Sequence, residues 1–354
     1  MTQPEYSAIG SWGRGFSRRI PPEGSTPGNP LRSIEPELAV DLCGVRLPNP
    51  LILAAGILGT GAELLERVAR TGAGAVTAKS CSPQPRAGHP NPTVLDWGQG
   101  LINAIGLANP GVEEMAAILK DAKGRLEPLG VPLIASIFAE TVEGFAEVAR
   151  RVGEAGPDFI EVNISCPNVA AELGRPFAAD PDSAAAVTKA VKGATHLPVI
   201  VKLSPNVTDV AAIARAVEAA GADAIAAINT VAGMVIDVDC GQPILANQVG
   251  GLSGPAIRPI AVRCIYEIYR AVDIPIIGLG GVVDGRDAVE MLMAGATAVG
   301  VGSAVYYRGI NALGAIAQEI ASFMIEHGHR TLADLRGMAH THAGPPPTLG
   351  EEVR

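Results

Sequence analysis

The chain has 354 residues, of which 48% are hydrophobic and 18% are charged, and its formal net charge is -9. Such a composition excludes a disordered protein, because it can bury a large core. No apolar run approaches the ~20 residues of a membrane helix, and no apolar segment follows Arg18 and Arg19 as a secretory signal requires. The absence of a basic cluster argues against nucleic-acid binding. We therefore expect a cytoplasmic protein that acts on a small molecule.

Both ends of the chain differ in composition from its middle. Residues 1–34 are rich in Gly, Pro, Ser and Arg without periodicity, and residues 343–354 include three consecutive prolines. Both segments are typical of flexible extensions. The sequence therefore predicts one domain over residues 35–342.

Within that domain, short apolar runs alternate with Ala-rich amphipathic segments, which indicates parallel βα units. Strands are predicted at Leu51–Ala55, Ala75–Lys79, Leu133–Ile137, Phe159–Ile164, Val199–Leu203, Ala224–Asn229, Ile274–Leu279 and Ala298–Gly302. Helices are predicted at Ala62–Arg70, Val112–Leu126, Val142–Ala155, Ser183–Lys192, Val207–Ala220, Pro255–Ala271, Arg286–Ala294 and Leu313–Glu326. Eight such units predict a (β/α)8 barrel. The alternative is an open doubly wound sheet, but Ala55–Gly61 lacks the glycine spacing of its phosphate-binding turn.

Catalytic groups of such a barrel lie at the C-terminal ends of its strands. Polar residues occupy these positions here: Lys79 and Ser80, Asn163 to Asn168, Lys202, and Asn229 with Thr230. The two lysines follow apolar strand residues, and a buried ammonium needs an anionic or acceptor-rich partner. The simple alternative is a lysine that reaches solvent from a strand end. Two lysines beside several asparagines favour a binding site.

Glycines follow the last two predicted strands, as Gly280-Gly281 and Gly302-Ser303. Barrels commonly bind a phosphate there through backbone N–H groups. Ordinary glycine turns are the alternative. The Pro-rich segment from Ser82 to Gly100 is long for a βα loop, so it is expected to form a lid or a partner surface.

The five cysteines are Cys43, Cys81, Cys166, Cys240 and Cys264, without a CxxC pair, which argues against disulfides, zinc and an iron–sulfur cluster. Cys43 and Cys264 have apolar neighbours and are interpreted as packing residues, and Cys81 and Cys240 as incidental. Cys166 stands in a polar, Asn-rich loop before a proline. Its ordinary pKa of ~8.5 allows a thiol to serve as a general base. No histidine arrangement fits a triad or a metal site.

Several motifs occur together: Lys79-Ser80, Asn103 to Gly111, Asn163 to Asn168, Val201 to Leu203, Asn229-Thr230, Gly250 to Pro255 and the two glycine pairs. In this combination the chain resembles the class 1 dihydroorotate dehydrogenases over roughly residues 36 to 340. The phrase from Pro243 to Ala261 is most similar to the class 1B catalytic subunit. The resemblance implies FMN-dependent oxidation of (S)-dihydroorotate to orotate in de novo pyrimidine biosynthesis. It also implies a homodimeric core and a partner subunit that carries FAD and a [2Fe–2S] cluster and passes electrons to NAD; fumarate, which the homodimeric class 1A members use, stays open as the alternative acceptor.

Carried over position by position, the resemblance implies the site residues. Cys166 would remove the C5 proton while the C6 hydride passes to FMN, supported by Lys79, Asn163 and Lys202. The substrate would contact Lys79, Asn103, Ala104, Ile105, Gly106, Leu107, Asn163, Asn168, Asn229 and Thr230. FMN would contact Ala55, Gly56, Lys79, Ser80, Asn163, Lys202, Ile228, Gly254, Gly280, Gly281, Gly302 and Ser303.

The chain departs from the family pattern at a few positions. Ala55 stands where serine is frequent, Ser136 where some members have asparagine, and Ala108 where glutamine is common. The segment Cys240–Pro243 lacks the usual basic residue, which bears on the partner interface. Two other functions stay open: a dihydropyrimidine dehydrogenase-like reductase, which typically has histidine in place of Asn168 together with cysteine clusters, and a flavin electron-relay subunit without its own substrate.

Overall fold

The computed structural model describes residues 35–165 and 177–341. The predicted base Cys166 and the predicted substrate ligand Asn168 lie outside these ranges, as do both predicted extensions. Everything below refers to the described residues.

Eight parallel strands close into a barrel in which the last strand pairs with the first. In chain order the barrel strands are Leu51–Leu53, Ala75–Thr77, Leu133–Ile137, Phe159–Asn163, Val199–Lys202, Ala224–Ala227, Ile276–Leu279 and Ala298–Val301. They pair in sequence order around the ring. The predicted (β/α)8 barrel is therefore confirmed, and the open doubly wound sheet is wrong.

The helices surround the barrel. They span Ala62–Ala69, Val112–Leu126, Val142–Gly153, Pro181–Ala194, Val210–Ala219, Arg258–Tyr269, Gly285–Ala294, Ala304–Arg308, Ala312–His327 and Met338–Thr341, with short 3-10 turns at Glu127–Leu129, Phe177–Ala179, Pro255–Ile257 and Leu332–Asp334. Two predicted helix starts shift because an aspartate caps the helix. Asp180 accepts a hydrogen bond from the Ser183 amide, and Asp209 from the Ala212 amide. The predicted helix Pro255–Ala271 begins with the 3-10 turn.

Alternation along the strands divides the core into two layers. Ile160 and Val162 belong to the cluster between the barrel and the helices, whereas Phe159 lies in the cluster inside the barrel. The side chains of Glu161 and Asn163 therefore point into the barrel like that of Phe159. The two residues lie two and four positions nearer the C-terminal end of the strand. A hairpin of strands Val40–Leu42 and Val45–Leu47 adds two fully buried leucines to the inner cluster and closes the N-terminal end of the barrel.

A four-stranded antiparallel sheet lies at the opposite end of the barrel. Its strands, in spatial order, are Val231–Gly233, Gly250–Ser253, Leu101–Asn103 and Val94–Asp96. Part of the segment Ser82 to Gly100, which is predicted to form a lid or a partner surface, thus forms the edge strand of this sheet, and Val94 and Trp97 are exposed on and beside it. A further two-stranded sheet joins Ile236–Asp237 to Gln242–Pro243. Strands of two to four residues are too short to produce a recognisable alternation in the sequence.

Candidate active site

A cavity of about 270 Å³ opens at the C-terminal ends of the barrel strands, between the barrel and the antiparallel sheet. Of the predicted site residues in the described part of the chain, all but one line it. They are Ala55, Gly56, Lys79, Ser80, Asn103, Ile105, Gly106, Leu107, Asn163, Lys202, Ile228, Asn229, Thr230, Gly254, Gly280, Gly281, Gly302 and Ser303. The exception is Ala104, which is fully buried in a small cluster with Ile102 and Leu245. Ala104 packs with Ile102, whereas Leu101, Asn103 and Ile105, which alternate with these two residues, line the cavity.

Asn163 is the centre of a buried hydrogen-bond network in the cavity wall. Its side-chain amide donates to Ser80 Oγ at 3.4 Å, and its Oδ1 accepts from Ser165 Oγ at 3.2 Å and from Asn229 Nδ2 at 3.4 Å. Asn229 also donates to Ser165 Oγ at 2.8 Å. The network fixes the orientation of both asparagines and of Ser165, the residue that directly precedes Cys166.

Lys202 points from the fifth strand into the same cavity, and its side chain is only 7% exposed. Its ammonium lies 3.8 Å from the carboxylate of Glu161, whose side chain is 6% exposed. The sequence predicts an anionic or acceptor-rich partner for this lysine, and Glu161 is that partner. Lys79 lines the cavity from the end of the second strand, with its backbone N–H donating to the Gly59 carbonyl.

The loop from Asn103 to Gly111 is held against the cavity by Asn109. The Asn109 side chain donates to the Leu107 carbonyl at 2.8 Å and accepts from the backbone N–H groups of Ser82 and Gly111. Leu107 has a φ of 56°, which few non-glycine residues adopt. The buried side chain of Asn109 thus stabilises the turn that brings Ile105 to Leu107 to the cavity wall.

Gly302-Ser303 lies across the barrel from Asn163, because the eighth strand is four places from the fourth in a ring of eight, and Gly280-Gly281 follows the neighbouring seventh strand. Gly281 has a φ of +78°, and a Cβ atom there would lie 2.8 Å from the backbone nitrogen of Arg258. Only glycine suits this backbone. Gly280, Gly281 and Gly302 therefore border the cavity with backbone alone, beside Val282 and Ser303.

Sequence reasoning missed residues behind the cavity as well as residues that line it. Ser136, Glu161 and Ser165 are buried polar residues on or beside barrel strands that do not line the cavity, and none was predicted as a site residue. The missed apolar lining consists of Ala54, Ile57, Val94, Leu101, Ile257, Leu279 and Val282, to which Ser253 and Gly300 add small residues. The sequence contains one signal for the buried carboxylate: Glu161 interrupts the apolar run that begins at Phe159.

The described cysteines differ in their surroundings. Burial raises the pKa of the Cys81 thiol to about 12, and burial followed by the nearby carboxylates of Asp223 and Asp41 raises that of Cys43 to about 12. Burial also raises the pKa of Cys264. Cys81 is fully buried in the core, where it packs with apolar residues, and its interpretation as incidental to function stays a prediction. Cys240 is exposed.

We expect iodoacetamide to label Cys240 at mildly alkaline pH while sparing Cys43, Cys81 and Cys264. Thiolate is the reactive form, and a raised pKa keeps the three other cysteines as thiols. Peptide mapping by mass spectrometry measures the labelled fraction of each site, with urea-unfolded protein as the control in which all sites react. Labelling of Cys81 at the rate of Cys240 in the folded protein would contradict the burial seen here.

Two further features of the described residues concern function. No group of three or more His, Cys, Asp or Glu side chains in residues 35–165 and 177–341 is arranged to hold a metal ion. Over the same residues, no helix combines the length and apolar character needed to cross a bilayer.

Comparison with known proteins identifies the family. Residues 37–324 match the family model for dihydroorotate dehydrogenase. Three similar proteins are each named "Dihydroorotate dehydrogenase B (NAD(+)), catalytic subunit". The protein from Methanocaldococcus jannaschii is 46% identical over 86% of this chain and 98% of its own length. Those from Methanosarcina mazei and Methanothermobacter thermautotrophicus are 48% and 47% identical over 86% of this chain, and over 95% and 98% of theirs. The chain therefore belongs to the dihydroorotate dehydrogenase family.

Proposed function

We propose that this chain oxidises (S)-dihydroorotate to orotate with FMN, as a step of pyrimidine biosynthesis. One observation carries the proposal. One cavity combines a glycine-bordered backbone after the seventh and eighth barrel strands with the side chains of two lysines and three asparagines. The names of the relatives and the family membership support the same activity.

The cavity residues fit FMN in their chemistry. Backbone N–H groups at Gly280 to Val282 and at Gly302 and Ser303 would bind its phosphate. Ile57, Ile228 and Leu279 offer apolar surface for its ring system, and Lys202 supplies a cation. FMN, when bound, would accept the hydride from C6 of the substrate.

The same cavity suits a pyrimidine carboxylate. Side-chain amides of Asn103, Asn163 and Asn229 can both donate to ring carbonyls and accept from ring N–H groups. Lys79 would bind the carboxylate by a charge-assisted hydrogen bond. Cys166 would take the C5 proton. Ser165, the residue before it, is held by hydrogen bonds and would help to position Cys166. Asn168 completes the proposed substrate set.

We further propose that electrons leave through a partner subunit with FAD and a [2Fe–2S] cluster and reach NAD. The words "catalytic subunit" and "NAD(+)" in the names of the relatives support a multi-subunit enzyme. A homodimeric core and a location in the cytoplasm are predictions from the sequence.

An anaerobic titration of the isolated, yellow protein tests the activity. Dihydroorotate should bleach the flavin absorbance, whereas uracil should leave it unchanged and NADH should reduce it slowly. Bleaching by NADH alone would favour the electron-relay function, and a flavin reduced by NADH and reoxidised by uracil would favour the pyrimidine reductase. Protein that neither contains nor takes up FMN would overturn the proposal.

Replacement of Gly281 by alanine should lower the affinity for FMN by roughly tenfold or more, because left-handed strain of about 1–2 kcal/mol and the contact with Arg258 displace the loop. Fluorescence quenching of FMN measures the dissociation constant. Gly130→Ala is the matched control: its φ is +64°, and nothing lies within 4 Å of a Cβ there. This variant should lose stability but keep FMN affinity, and equal affinities of the two variants would contradict a phosphate role for the Gly281 loop.

A further inference from the structure

Glu161 is a buried carboxylate that the proposed reaction does not use. It lies on the fourth barrel strand, two residues before Asn163, and its side chain points into the barrel. The residue is 4% exposed. Below it the inner layer is apolar, with Phe159, Ile134 and Ile200. A carboxylate in this position is costly to bury unless it is paired.

Two side chains from the neighbouring strands stabilise Glu161. Ser136, its cross-strand partner on the third strand, donates a hydrogen bond to Glu161 Oε1 at 3.0 Å. Lys202 on the fifth strand places its ammonium 3.8 Å from the same oxygen. The hydroxyl of Ser136 also lies 2.8 Å from that of Ser80, which borders the cavity. The carboxylate is thus connected to two cavity residues without lining the cavity itself.

A purely structural role explains this pair poorly. Replacing a buried ion pair with well-packed apolar residues is often neutral or stabilising, so stability alone gives little reason for the pair. Lys202, however, lines the wall of the cavity where the cofactor would bind. A carboxylate behind this lysine restrains its position and offsets part of its positive charge at the cofactor site.

We propose that Glu161 is a positioning residue that holds the Lys202 ammonium at the flavin site and lowers the reduction potential of the bound FMN. The inference rests on the FMN site proposed above. Reduction adds electrons to the flavin, so a nearby negative charge disfavours it and a nearby positive charge favours it. With Glu161 present, electrons pass on to an acceptor more readily than they would beside an uncompensated lysine.

The reduction potential of FMN-loaded E161Q tests this role. The variant is equilibrated anaerobically with a reference dye, and the reduced-to-oxidised ratio of the flavin is read from the spectrum. We expect this ratio to rise about tenfold at a fixed dye potential, which is about 30 mV for a two-electron couple. E161D keeps the charge at a greater distance from Lys202, so its ratio should lie between those of wild type and E161Q.

D158N is the matched control. Asp158 precedes the same strand at its other end and forms an ion pair with Lys123, at 2.6 Å, and neither residue lines the cavity. Its replacement should leave the flavin ratio at the wild-type value. A change equal to that in E161Q would mean that any perturbed ion pair on this strand shifts the potential, which would overturn the proposal.

The possible outcomes distinguish this inference from the proposed function. Wild-type protein that takes up no FMN would refute the FMN site. FMN-loaded E161Q with an unchanged ratio would refute the role of Glu161 alone. If E161Q folded but lost FMN, E161D would decide: an intermediate rise in its ratio supports the role, and a wild-type ratio overturns it.

Discussion

Replacement of Cys166 by serine is expected to slow reduction of bound FMN by dihydroorotate roughly 10²–10⁴-fold, the usual contribution of a general base. A thiol with a pKa of ~8.5 is partly ionised near neutral pH, whereas a serine hydroxyl is not and accepts a proton from carbon far less readily. The FMN content should stay unchanged, because no cofactor contact is assigned to this side chain. Anaerobic stopped-flow mixing with dihydroorotate measures the rate directly.

Cys240→Ser provides the matched control for this variant. Cys240 is exposed beside the short hairpin of Ile236–Asp237 and Gln242–Pro243, and it does not line the cavity. Its replacement should leave the rate of flavin reduction at the wild-type value. A Cys166→Ser protein that reacts at the wild-type rate would assign the base elsewhere, and one that is purified without flavin would point to a structural role.

The barrel could be predicted because its signals are local. Each barrel strand is a run of apolar, often β-branched residues, such as Pro198 to Val201, and most are followed by an amphipathic helix of ten or more residues. Many residues of the cavity wall could be predicted for the same reason. Polar side chains that end apolar strands, such as Lys79, Asn163 and Lys202, must converge at one end of a closed barrel.

The antiparallel sheet and the pairing of the buried Glu161 carboxylate with Lys202 could not be predicted in this way. Leu101–Asn103 and Gly250–Ser253 pair over more than a hundred residues, and neither contains enough residues to show a period. Ala104 was assigned to the substrate because its neighbours in the motif were, but a sequence motif does not show which side of the chain each residue faces. Glu161 was overlooked because its partner, Lys202, comes from another strand.

Replacement of Lys202 by methionine should destabilise the FMN-free protein by about 3–5 kcal/mol, because it leaves the Glu161 carboxylate buried without its counter-ion. Ser136 would still donate one hydrogen bond at 3.0 Å, but a neutral donor does not compensate a buried charge. Urea denaturation followed by circular dichroism measures the free energy of unfolding. The FMN-free form is chosen because ligand binding would add its own stabilisation.

The double variant E161Q/K202M shows whether the loss comes from the uncompensated charge. It removes both charges while keeping the size of the side chains, so it should recover most of the stability lost in K202M. Arg150→Met is the control for an exposed pair: Arg150 and Glu154 are joined at 2.9 Å on a helix surface, and breaking this contact should cost no more than about 1 kcal/mol. If K202M and Arg150→Met were equally stable, the carboxylate of Glu161 would not carry a charge in the folded protein. Its proposed effect on the reduction potential would then lose its physical basis, whereas recovery in the double variant would establish the buried charge on which that effect depends.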